Sequence, residues 1–409
     1  MSDSPYYDDL ENRDPDAREA AVFASLPGQI AHAKAKAPYF AEILADVDPD
    51  SLTGREALAA LPVTRKSALI ERQKSDPPFG GLAAVGPSDF VRIFASPGPI
   101  YEPQGRRPDY WRFARSLYAA GVRPGELLHN CFAYHFTPAG AMVESAAEAL
   151  GCPVFPGGVG NTEAQIRAVA DLKPAVFVGT PSFLQSILDK GEEMGADLTS
   201  LSKGLVGGEA LLPSLRDEFA GRGVAVLQNY ATAELGLIAY ESPAREGMIL
   251  DEGVIVEIVT PGTGDPVADG AVGEVVVTVL TPEYPLIRFA TGDLSAVMAG
   301  ISPCGRSNTR IKGWMGRADQ TTKVKGMFVH PEQIAEVVAR FPAITKGRLV
   351  VEAENGGDVM TLHYEAAAEV DGLSEALQAV CRLKGRVAHA TTGSLADDGK
   401  VIDDCRPVG

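Results

Sequence analysis

Residues 127–132, Leu-Leu-His-Asn-Cys-Phe, open a stretch whose rhythm decides the fold. This short apolar run is followed by an amphipathic stretch at 139–150, then apolar residues 154–155 and a further amphipathic stretch at 163–171. The pattern repeats at 175–179 and 182–194, and again at 204–207, 215–221 and 224–230. Strand, helix, strand at this spacing predicts a parallel sheet covered by helices. The fold class expected is therefore α/β. Before it, residues 14–44 read as helical, with breaks expected at Pro27 and Pro38, because proline removes a main-chain donor.

After residue 247 the character changes. Residues 254–259, 273–280 and 287–290 are β-rich and separated by turns such as Pro261-Gly262-Thr263-Gly264-Asp265, which predicts a small antiparallel subdomain. Past Asp319 the chain reads as a compact α+β unit, with helices expected at 331–341 and 373–383 and strands at 347–353 and 359–365. The expected division is a large domain over 1–318 and a small one over 319–409. A chain of 409 residues exceeds the usual size of one core, which agrees with two.

Bulk properties exclude several classes. The formal net charge of −17 opposes binding to nucleic acid or to an anionic membrane surface. Residues 1–9 are polar and acidic, without the basic and apolar regions of a secretory signal, and no apolar run approaches membrane-spanning length. Five scattered cysteines, Cys131, Cys152, Cys304, Cys381 and Cys405, lack a zinc-ribbon spacing. A reducing cytoplasm is the expected location, with no zinc.

A series of short segments, in order, carries a family resemblance. They are Ala37-Pro38-Tyr39-Phe40, Leu61-Pro62-Val63-Thr64-Arg65-Lys66 with Pro78-Phe79-Gly80, residues 158–165 (Gly-Val-Gly-Asn-Thr-Glu-Ala-Gln), and Thr180-Pro181-Ser182. Gly207-Gly208-Glu209, residues 230–236 (Tyr-Ala-Thr-Ala-Glu-Leu-Gly), Thr291-Gly292-Asp293-Leu294 and Gly316-Arg317-Ala318-Asp319 follow. Lys325-Gly326, residues 329–334 and Gly399-Lys400 complete the series. Together they resemble the phenylacetate-CoA ligase branch of the adenylate-forming enzymes, along almost the whole chain.

The resemblance implies a large AMP-binding domain and a small mobile C-terminal lid. It also implies a two-step reaction, in which ATP activates a carboxylate as an acyl-adenylate and the thiol of CoA displaces AMP. Positioning and charge stabilisation would carry such chemistry. Asp293 would hold the ribose hydroxyls, supported by Arg317, and Asp319 would be the hinge. Glu234 would hold Mg²⁺, whose preference is for carboxylate oxygen. Lys400 would neutralise charge on the carboxylate and α-phosphate. Gly207, Gly208 and Glu209 would line the adenine and acyl side, Tyr230 would stack near the adenine, and Ala231, Thr232 and Lys325 would belong to the nucleotide site. Tyr134, His135, Phe136 and Gly140 resemble the aromatic stretch bordering the acid, with His135 narrowing that wall. The substrate implied is an aromatic or small cyclic acid. Relatives are often dimers, so a homodimer is left open.

Three departures fall at phosphate-contacting positions. Ser96-Pro97-Gly98-Pro99-Ile100-Tyr101-Glu102-Pro103-Gln104 stands where the family has a loop of small residues with a lysine. Prolines have no N–H to donate, Ile100 and Tyr101 add bulk, and Glu102 replaces the lysine. Arg106, Arg107 and Arg112 could compensate. Ala233 replaces a hydroxyl residue before Glu234, and Ala396-Asp397-Asp398 lacks an arginine before Gly399-Lys400. The competing readings are a diverged member that binds nucleotide or acyl ligand without adenylation, and one that transfers a pre-activated acyl group.

Overall fold

The computed structural model describes residues 4–96, 99–315, 317–318, 320, 322–329, 331–354, 357–396 and 400–406. Two compact units are present: Met1–Thr291 with Ser295–Trp314, and Gly292–Leu294 with Met315–Gly409.

The larger unit is organised by the stretch that opens at residue 127. Strands β1 (Leu128–Asn130), β2 (Val154–Pro156), β3 (Val176–Gly179), β4 (Lys203–Val206) and β5 (Ala225–Thr232) lie parallel in the order β2-β1-β3-β4-β5. Helices α1 (Ala139–Leu150), α2 (Thr162–Leu172), α3 (Pro181–Glu193) and α4 (Pro213–Gly221) fill the intervals between successive strands. The α/β expectation is met. Four residues of β3, Val176–Gly179, are all buried, as a strand covered on both faces requires. Beyond β5 the sheet turns antiparallel through β6 (Gly236–Glu241) and continues to nine strands.

A second sheet places Val254–Val259 antiparallel to Gly273–Val279, with every residue of both strands buried. Its neighbour spans Phe289–Ser295, longer than the expected 287–290. Arg288 anchors this region. Its guanidinium pairs with Glu257 at 3.0 Å through both Nε and Nη2 and donates to the carbonyls of Ala59, Leu61 and Gly264, at 1% exposure.

One expectation fails at Pro27. A single helix, Pro15–Lys36, runs through it. The missing main-chain bond costs about 3 kcal/mol in a bare helix. Phe23, Leu26, Ile30 and Ala33, spaced on one stripe, are buried, and each large apolar side chain contributes about 1.5–3 kcal/mol. Burial outweighs the proline. Pro38, by contrast, does end that helix and begins the next one, Pro38–Ile43.

In the smaller unit the strands run in the order Arg386–Ala390, Gly357–Ala366, Ile344–Glu354, Ile402–Asp404. Helices Pro331–Ala339 and Leu373–Cys381 contribute Ile334, Val337, Leu373 and Leu377 to one buried cluster with Leu349 and Leu362. Among the described residues no helix is long and apolar enough to cross a membrane.

Candidate active site

In open parallel sheets, ligands gather outside the carboxyl ends of the strands, where neighbouring connections diverge. Here the connection from β1 leads outward to β2, and the next returns across β1 to β3. The sequence-predicted segments leave from this edge. Cys131–Gly140 follow β1, Thr180 follows β3, Gly207–Glu209 follow β4, and Ala233–Leu235 follow β5.

At the end of β1, His129 and Asn130 organise the loops. His129 Nε2 lies 2.7 Å from Gln165 Oε1, and Gln165 Nε2 donates to the carbonyls of Gly158 (2.9 Å) and Gly160 (2.7 Å). Burial pushes His129 below its ordinary value, disfavouring the charged imidazole. The 158–165 motif is thus a structural tie: its glutamine holds a glycine turn over β1. Asn130 Nδ2 donates to Tyr134 Oη at 2.7 Å and to the Gly140 carbonyl at 3.0 Å. A Cβ on Gly140 would lie 2.8 Å from the Ala133 carbonyl, so only glycine lets the loop pack here. Tyr134 is half-buried, with its hydroxyl pushed up by burial and by Glu144. His135 and Phe136 are exposed, Phe136 at 79% and with φ of 62°. The structure therefore brings Tyr134 and Gly140 together, while His135 is exposed beside them.

Gly207 meets β5 closely, since an added Cβ would lie 2.5 Å from Asn229 Oδ1. Gly208 has φ of 76°, and Glu209 Oε2 accepts from the Ser182 amide at 3.4 Å. Tyr230 is buried, its hydroxyl 3.3 Å from Thr291 Oγ1. Ala231 and Thr232 end β5, and the Thr232 hydroxyl accepts from the Leu235 amide at 3.2 Å.

Glu234 stands in the turn after β5, its side chain wholly buried with Lys66 Nζ 2.6 Å from Oε1. Burial opposes its ionisation, yet the Lys66 ammonium holds it below the ordinary carboxylate range. Lys66 closes the segment Leu61-Pro62-Val63-Thr64-Arg65-Lys66, which by itself gives it no role. Its signal was positional: it opens the helix Lys66–Ser75, where a cation meets the unfavourable end of the helix dipole. A partner elsewhere is the physical reason for tolerating it.

The altered loop is a hairpin. Arg92–Ser96 pairs antiparallel with Ile100–Gln104, and Gln73 clasps its second strand by accepting from the Tyr101 amide (2.7 Å) and donating to the Tyr101 carbonyl (2.9 Å). Glu102 is 1% exposed, not at the surface. Its carboxyl accepts from Ser96 Oγ at 2.5 Å and from the Ser96 amide at 3.2 Å. Burial and the neighbouring Glu234 carboxylate push Glu102 up to about 8. Pro97 and Gly98 lie outside the described residues. The compensating arginines are engaged elsewhere: Arg106 with the carbonyls of Ser88 and Asp89, Arg107 with Thr281, and Arg112 with Asp251 and the carbonyls of Leu235 and Leu237.

In the smaller unit, Asp293 lies in a strand and pairs with Arg317 at 2.9 Å, Oδ1 to Nη1, across a local antiparallel bridge. The two residues expected at the ribose are neighbours. Gly292, with φ of 76°, leaves room for the guanidinium, because a Cβ there would lie 2.6 Å from Arg317 Nη2. Lys325 is exposed in a hairpin turn, its amide donating to Asp358 at 2.7 Å. Lys400 pairs with Asp403 at 3.0 Å. Asp319 and Gly399 lie outside the described residues.

Among the described residues no group of three or more His, Cys, Asp or Glu side chains is arranged to hold a metal. Magnesium is commonly taken by one or two carboxylates together with substrate phosphates, and the buried Glu234 carboxylate suits that mode rather than a dedicated cage.

Residues 131–279 match the AMP-binding enzyme family. The chain is 32% identical over 380 residues to a phenylacetate-coenzyme A ligase of Thermus thermophilus, covering 88% of this chain and 84% of that protein. It is 28% identical over 400 residues to the phenylacetate-coenzyme A ligase of Escherichia coli, covering 93% and 90%. A crystal structure of 2-hydroxyisobutyryl-CoA ligase with 2-HIB-AMP and CoA superposes with a TM-score of 0.82 at 24% identity, covering 100% of this chain and 94% of that one.

Proposed function

This chain belongs to the phenylacetate-coenzyme A ligase family and is an ATP-dependent acid–thiol ligase working through an acyl-adenylate, and we propose that its acid is aromatic. The observation that carries this reading is the loop after β1. It brings Tyr134, over Asn130 and against Gly140, to the edge of the sheet from which the Gly207–Glu209 and Glu234 turns also leave. Relatives sharing 28–32% identity act, by name, on phenylacetate.

The chemistry follows from charge. A carboxylate resists attack because its carbonyl carbon is shielded. One carboxylate oxygen attacks the α-phosphorus of ATP, pyrophosphate leaves, and the acyl group becomes a mixed anhydride. The CoA thiol, losing its proton, then attacks the acyl carbon, and AMP departs with the oxygen that formed the anhydride. We assign Asp293 and Arg317 to the ribose, Tyr230 to the adenine, Lys400 to the charge developing at the α-phosphate, and Asp319 to the hinge. Mg²⁺ arriving with the nucleotide would be held by Glu234 and would neutralise phosphate charge.

The test is thioester formation and pyrophosphate release with Mg-ATP and CoA over phenylacetate, benzoate, 2-hydroxyisobutyrate and acetate. An aromatic acid is expected to exceed the short acids in kcat/KM by at least about tenfold. Preference for a short acid would overturn the aromatic assignment. Thioester formed only from ready-made acyl-adenylate, without pyrophosphate release from ATP, would favour transfer of a pre-activated group.

A further inference from the structure

We propose that Glu102 is a built-in occupant of the phosphate seat, so that ATP binds this protein only by evicting the chain's own carboxyl group. The proposal rests on the ligase reading above and names how its nucleotide step is restrained. In the hairpin register Glu102 opposes Phe94, two residues from Ser96, so Glu102 and Ser96 project on the same face. From there the carboxyl takes both the amide N–H and the hydroxyl of Ser96. An incoming phosphate would need those donors, because a loop grips phosphate through main-chain N–H groups and hydroxyls.

The occupant is firmly seated. Ser96 is 6% exposed and Glu102 1%, and Gln73, itself buried, fastens the adjacent residue Tyr101 by two hydrogen bonds. Around the carboxyl stand Glu234, Lys66 and Tyr284. The Lys66 ammonium, which could draw a polyphosphate, is already engaged at 2.6 Å with Glu234. The donors of Ser96 are thus taken by the chain's own carboxyl, and Lys66 is held in an ion pair, before any ligand arrives. AMP carries no β- or γ-phosphate and does not need the seat. The device therefore sets discrimination between triphosphate and monophosphate, not affinity for the nucleoside.

Calorimetric titration with AMP and with α,β-methylene-ATP, which adenylation cannot cleave, tests this in the presence of Mg²⁺. In the natural protein the triphosphate analogue is expected to bind no tighter than AMP. Binding more than about tenfold tighter would overturn the proposal and needs no variant. In Glu102→Ala the seat is vacated, and the ratio of triphosphate to AMP affinity is expected to rise by at least about tenfold. In Glu102→Gln, which retains shape and an acceptor for the Ser96 amide, the rise is expected to be smaller than in the alanine variant. An unchanged ratio in a Glu102→Ala protein with normal thermal unfolding would overturn the proposal. The ligase reading is judged separately, by thioester formation from synthetic acyl-adenylate and CoA in the natural protein. Its absence would sink that reading, whereas its presence with an unmoved ratio would sink only the role of Glu102.

Discussion

Lys400→Ala is expected to slow pyrophosphate release by about 10²–10³-fold while leaving thioester formation from synthetic acyl-adenylate within about threefold. The two half-reactions differ in where charge develops. Adenylation brings a carboxylate against a phosphate, and a cation placed there is worth most in the transition state. Thioester formation starts from an anhydride in which that charge is already spread. Lys400 pairs with Asp403 at 3.0 Å, with half of its side chain exposed. An exposed pair of this kind is worth about 0–1 kcal/mol, so drawing the ammonium away costs little. Rates are measured by coupled pyrophosphate detection and by thioester absorbance. Equal losses in both half-reactions would mean that Lys400 supports the small unit's fold or CoA, not adenylation.

Arg288→Met is expected to destabilise the larger unit by about 3–5 kcal/mol, the largest effect on stability of any single change considered. The guanidinium meets Glu257 in a two-point pair and donates to three carbonyls, and both side chains are buried. Methionine leaves a buried carboxylate without its counter-ion and strands the carbonyls of Ala59, Leu61 and Gly264. Burial already pushes Glu257 upward against the pull of Arg288, so loss of the arginine favours its protonation. Urea unfolding of the single variants and of Arg288→Met/Glu257→Leu measures the coupling. The double variant is expected to be less damaged than the sum of the two singles. A loss below about 1 kcal/mol in Arg288→Met would contradict the account.

Periodicity reported most of the parallel sheet. The helix read at 139–150 is Ala139–Leu150 in the structure, and the apolar run at 175–179 is a strand because interior positions of a covered sheet admit little else, while 154–155 fall in a partly buried strand at the sheet edge. What the sequence hid depends on partners distant in the chain. Pro27 looked like a helix break, since its local rule is clear, while the buried stripe that overrides it is settled by tertiary packing. Glu102 was legible as a departure, yet not as a buried acceptor for Ser96, because the hairpin that joins them is recognisable only once paired. Lys66 and Glu234 are separated by most of the sheet and meet through the fold alone. The family resemblance puts Asp293 and Arg317 at one ribose, but the local sequence shows no contact between them. In the structure the strand carries Asp293 onward to Arg317, a contact made across 24 residues.

The most direct test of the acyl-adenylate account follows one oxygen. Acid labelled with ¹⁸O in its carboxylate, supplied with Mg-ATP and CoA, is expected to leave one labelled oxygen in AMP after a single turnover, read by mass spectrometry. The oxygen that attacks the α-phosphorus departs with AMP when the thiol takes the acyl carbon. Label found in a free or terminal phosphate, or thioester formed with unlabelled AMP, would contradict an acyl-adenylate intermediate.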